Sequence, residues 1–128
     1  MKSLQHLLPV DKHDLESIEK LSTLGFPALN DLLPEMLTWI QDMNWPVATP
    51  MCLLVAQAGP ELIPEIEAIL GGDDLGWSYF LITDLLPLLP HDKQNTLIPA
   101  VKMLYDRVDD DDIREAASEF IDTVNQKN

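Results

Sequence analysis

Basic residues are scarce in this chain: eight lysines and arginines stand against 22 aspartates and glutamates, a formal net charge of -14. Such a surface repels a phosphate backbone, which disfavours ordinary nucleic-acid binding. Cysteine is nearly absent. Cys52 is the only one and lies in the apolar run Met51-Cys52-Leu53-Leu54-Val55, so a disulfide framework is excluded and a zinc site lacks thiolates. Long hydrophobic runs are also missing. The stretch Tyr79 to Leu89 is interrupted by Thr83, Asp84 and Pro87 and falls well short of the roughly 20 residues of a membrane span. Leu4 and Leu7-Leu8, before Pro9 and Asp11, are too little for a signal-peptide core. The expectation is a cytoplasmic protein with neither membrane nor nucleic acid as partner.

Apolar residues, by contrast, make up 46% of the 128 residues, enough to build one core without metals or disulfides. A single domain over 1–128 is therefore expected. One phrase recurs three times: Leu33-Pro34-Glu35-Met36, Ile63-Pro64-Glu65-Ile66 and Ile98-Pro99-Ala100-Val101, with the prolines 30 and 35 residues apart. Each opens an apolar pattern at helical spacing, and proline is tolerated in a first helical turn, where its missing N–H has no partner to lose. Each helix runs into an acidic turn: Gln41-Asp42-Met43-Asn44, then Gly71 to Gly76 with Asp73 and Asp74, then Asp109-Asp110-Asp111-Asp112. Asn44, Gly76 and Asp112 fall at one equivalent position and are of N-cap type. Second helices are expected over about 45–58, 77–89 and 113–125, with Asp14 to Leu24 as a preceding helix. Pro50 and Pro87 are expected to bend or end theirs.

The run Asp111-Asp112-Ile113-Arg114-Glu115-Ala116-Ala117 resembles the Asp-x-Val-Arg-x-x-Ala stretch of HEAT repeats. That resemblance implies an all-α fold: an α-α superhelix, or short solenoid, of one helix and three helix pairs, in units of about 28–58, 61–89 and 92–125. Pro46 and Ser78 replace the basic residue in the first two units. The run Trp39-Ile40-Gln41-Asp42-Met43-Asn44-Trp45-Pro46-Val47-Ala48, with Lys12-His13-Asp14 upstream and Trp77-Ser78-Tyr79 downstream, is similar to a small bacterial family known as domain of unknown function 5071. That family implies no catalytic or binding residues.

Residues 109–112 invite a calcium reading, yet an EF-hand loop begun at Asp109 places Ile113 and Phe120 at its fifth and twelfth positions, which must supply oxygen ligands. A solvated acidic turn at a helix start fits better. His6, His13 and His91 lack any spacing that gathers two metal ligands on one helix face, and neither a phosphate loop nor a nucleophile elbow occurs. No catalytic, cofactor-binding or metal-ligating residue is assigned, and no cofactor is expected. Trp39, Trp45 and Trp77 align with apolar positions of the other units and read as core. Tyr79 aligns with Val47 and Glu115, a mixed position suited to a partly exposed contact.

These readings converge on a non-enzymatic protein-interaction module, of immunity or scaffold type, monomeric or weakly dimeric. Its partner is expected to be a protein with a basic or amphipathic surface, met through Tyr79, Glu115, Asp73, Asp74 and Asp109, Asp110, Asp111 and Asp112. Residues 61–128 carry 15 acids and 5 bases, against 7 and 3 in residues 1–60, which places the acidic side C-terminally. The alternative is a small-molecule enzyme or an accessory domain of one.

Overall fold

The structure, a computed structural model, describes residues 4–127, and every regular element among them is helical. None of these helices is long and apolar enough to cross a membrane. The chain groups into two compact units that divide between Leu62 and Ile63.

The first unit holds α1 (Leu15–Leu24), α2 (Leu33–Thr38) and α3 (Ala48–Val55), with single 3-10 turns at Gln5–Leu7 and Asn30–Leu32. Ile18 and Leu21 of α1, Met36 and Leu37 of α2 and Met51, Leu54 and Val55 of α3 are buried, and α3 packs against both α1 and α2. Gly25 ends α1 at φ 62, ψ -161, a backbone region essentially reserved for glycine. Asp14 starts the same helix. Its carboxylate accepts from Ser17 Oγ at 2.6 Å, Val10 N–H at 3.0 Å and Ser17 N–H at 3.2 Å. These bonds, the Ser17 hydroxyl foremost and the Val10 N–H next, hold its pKa below the ordinary value of 3.8. A carboxylate depressed on folding stabilises fully above its unfolded pKa, and that contribution is lost as pH falls through the lower folded value. Asp14→Asn is therefore expected to flatten the acid limb of the stability profile below about pH 4. Parent and variant profiles that run parallel there would refute this.

The expected second helix at 45–58 starts late, at Ala48. Asp42 Oδ1 accepts from Asn44 N–H at 2.9 Å and the Asp42 carbonyl from Trp45 N–H at 3.1 Å, so the chain spends these residues in a turn. Val47, not Asn44, stands at the N-cap. The late start places Pro50 in the first turn of α3, where it neither bends nor ends the helix.

The second unit holds nearly all of α4 (Leu62–Leu70), then α5 (Leu75–Phe80), α6 (His91–Arg107) and α7 (Asp111–Gln126). Helices α6 and α7 pack on each other, and α7 also meets α5. The expected helix at 77–89 is three elements: α5, a π turn at Leu81–Leu85 and a 3-10 turn at Leu86–Leu88. Pro87 explains the change, because it cannot donate to the Thr83 carbonyl and its ring crowds that group. The helix widens before it, with Leu86 N–H donating to Leu81 O, and then ends. Pro99 departs from the repeat as well. Pro34 and Pro64 sit in the first turns of α2 and α4, but Pro99 lies inside α6, which already begins at His91 behind Pro90.

Candidate functional site

The two acidic turns of the second unit are built alike. After α4, Asp74 Oδ1 accepts from Trp77 N–H at 3.0 Å and caps α5. After α6, Asp110 Oδ1 accepts from Ile113 N–H at 3.0 Å and caps α7. The caps are thus Asp74 and Asp110 rather than Gly76 and Asp112, because a capping oxygen must reach the free N–H three residues on. An arginine ties the preceding carbonyls in each turn. Arg107 Nη2 donates to Leu70 O at 3.0 Å and Gly72 O at 2.9 Å, and its Nη1 stands 4.0 Å from Asp73. Arg114 Nε donates to Val108 O at 2.9 Å, and its guanidinium lies 5.2 Å from the centre of the Tyr105 ring. Arg107 thereby offsets part of the charge at Asp73.

Of the residues expected to meet a partner, the structure brings three together. Tyr79, Asp110 and Asp112 line one concavity of roughly 230 Å³ with Leu75, Phe80 and Ile113. Tyr79 is half-buried and packs edge-on against Phe80, with ring centres 5.7 Å apart. Asp73, Asp74, Asp109, Asp111 and Glu115 do not line it. All five are exposed, so they contribute charge around the concavity rather than walls. The tryptophans differ from expectation: Trp39, Trp45 and Trp77 are half-buried, whereas Ile113, aligned with the last two, is 1% exposed. Trp39 and Trp45 meet edge-on at 5.9 Å, and each shields the other's ring while leaving part of it in solvent.

A second concavity, of roughly 290 Å³, escaped the sequence reading. Ile82, Pro87, Phe120 and Val124 form apolar walls, and Thr83, Glu119, Thr123 and Lys127 supply polar groups. Gln94 belongs to the same lining and is only 3% exposed. Its Nε2 donates to Leu86 O at 3.0 Å and Pro87 O at 3.4 Å, while its Oε1 is shielded from solvent without a hydrogen-bond partner. A buried polar atom left unpaired costs roughly 1–3 kcal/mol. The signal in the sequence was Gln94 itself, a polar residue in register with the buried stripe Leu97, Val101 and Leu104. The π turn beside it is of a kind often found at functional sites. Among the described residues, no three His, Cys, Asp or Glu side chains converge to hold a metal ion.

Fold and site together define an acidic all-α protein whose second unit carries two arginine-tied acidic turns beside an aromatic-walled concavity. The chain belongs to the family described as Domain of unknown function (DUF5071), whose sequence profile matches residues 7–125. A search among curated proteins gave no match.

Proposed function

We propose that this protein is a non-enzymatic protein-interaction module that receives a basic segment of another protein on its second unit. The carrying observation is the shared concavity of Tyr79, Asp110 and Asp112. A lysine or arginine side chain suits it: the methylene stem lies along Leu75, Phe80 and Ile113, and the cationic head meets two carboxylates and an aromatic ring. The surrounding acids would speed encounter with such a partner. The same reading takes the helix pairs as HEAT-like, supported by the proline phrase that opens α2 and α4, the Asp-Ile-Arg run and the matched capping of α5 and α7. HEAT arrays characteristically hold other macromolecules, although fold by itself does not assign function.

The test titrates an arginine-rich peptide against the parent and against the double variant Asp110→Asn/Asp112→Asn. Asparagine caps as well as aspartate, so charge is removed while the start of α7 is kept. Affinity at low salt is expected to fall at least about fivefold, or roughly 1 kcal/mol, with a weaker salt dependence. Equal affinity and equal salt response in the two proteins would refute the proposal.

A further inference from the structure

We infer that the furrow between α1 and α3 is a docking site for an amphipathic helix of another protein, one that flanks its apolar stripe with lysine or arginine. This surface lies on the first unit and is independent of the acidic concavity of the second. Leu15, Ile18, Glu19 and Ser22 stand at i, i+3, i+4 and i+7 of α1 and form one wall. Pro50, Leu53, Leu54 and Gln57 repeat that spacing along α3 and the turn beyond it, and form the other. Each wall is thus a single helix stripe about two turns, or roughly 10 Å, long. Ile18 and Leu54 are buried, whereas Leu15 and Leu53 are 47% and 54% exposed. The furrow encloses roughly 370 Å³, and two helix stripes with apolar edges left in solvent are suited to receive the apolar face of a third helix.

Charge around the furrow selects the occupant. Although 23% of the chain is charged, no charged residue occurs between Asp42 and Glu61, so the α3 wall offers only apolar and neutral groups. Its outward positions Thr49, Leu53 and Gln57 are exposed yet lack the charges that hydrate the rest of the surface. On α1, Lys20 is the sole base and pairs with Glu16 at 3.6 Å. Glu19 therefore lines the furrow with no ion-pair partner among the described residues. A helix with lysine or arginine beside its apolar stripe supplies that partner while its stripe covers Leu15 and Leu53. A second copy of this chain does not. Its α1 and α3 bring no further base, and it adds another Glu19 and another net charge of -14, which opposes self-pairing.

The probe is a helical peptide of about 16 residues with leucines at i, i+4 and i+7 and lysines flanking them. It is titrated into the intact protein while the methyl groups of Leu15 and Leu53 are followed by NMR. The control peptide has the same composition with its leucines dispersed around the helix, so general attraction to an acidic protein acts equally on both. The amphipathic peptide is expected to shift both methyl signals and to bind about tenfold tighter than the control. Leu53→Ser, at an exposed position where no cavity opens, is expected to weaken it at least about fivefold. Glu19→Lys is expected to weaken it at least about threefold and to favour a third peptide with glutamates in place of the lysines. The comparison of peptides in the parent stands by itself should a variant fail to fold. Equal affinity for the amphipathic and dispersed peptides, or shifts that leave Leu15 and Leu53 unmoved, overturns the inference. So does self-association of the protein alone that Leu53→Ser abolishes in sedimentation, since it assigns the furrow to a second copy.

Discussion

Ile113→Ala is expected to cost about 2–4 kcal/mol in urea denaturation, the range for truncating a fully buried aliphatic side chain. Ile113 is 1% exposed and occupies the third position of α7, where its N–H is held by Asp110. Loss of its side chain leaves a void between α7 and the elements packed on it, and close-packed interiors relax only partly around such voids. Trp45→Ala and Trp77→Ala, at the aligned positions, are expected to lose less, about 1–3 kcal/mol, because both rings are half-buried and only area removed from water contributes. Losses at Trp45 and Trp77 above 3 kcal/mol would show that they are core residues after all.

Pro99→Ala is expected to have the opposite sign and to raise stability by about 1–2 kcal/mol. Proline in a helix interior costs roughly 3 kcal/mol relative to alanine, and part of the gain is offset, by up to about 1 kcal/mol, because the unfolded chain regains freedom when proline is removed. Pro99 is exposed, so the substitution opens no cavity. It returns an N–H that can donate to the Asn95 carbonyl within α6. Thermal and urea midpoints read the result; a fall in both would mean that the local shape imposed by Pro99 is needed for the packing of Val101 and Leu104.

The helices were legible because their signal is local. Apolar residues at 3.6-residue spacing mark α1, α2, α4, α6 and α7 whatever surrounds them, and the acidic turns declared where chain direction changes. Boundaries were legible to within a few residues only. Asn44, Gly76 and Asp112 are all plausible caps by type, yet capping depends on a contact three residues ahead, and Asp74 and Asp110 make it. Pro99 misled because proline does open α2 and α4; the break that starts α6 lies at Pro90, where the helix N–H ladder has nothing before it to interrupt.

The sequence by itself thus determined an all-helical, strongly acidic protein, the approximate extent of its long helices and the position of its charged turns. These follow from composition and from periodicities that span a few residues. Tertiary structure alone decided that Arg107 reaches the carbonyls of Leu70 and Gly72, that Tyr79 shares a concavity with Asp110 and Asp112 but not with Glu115, and that Gln94 leaves one oxygen buried and unpaired. Each joins or isolates groups on different elements, in the first two cases more than 30 residues apart. Such pairings depend on which helix faces oppose one another and at what rotation, and a one-residue change of helix start turns a face by about 100°.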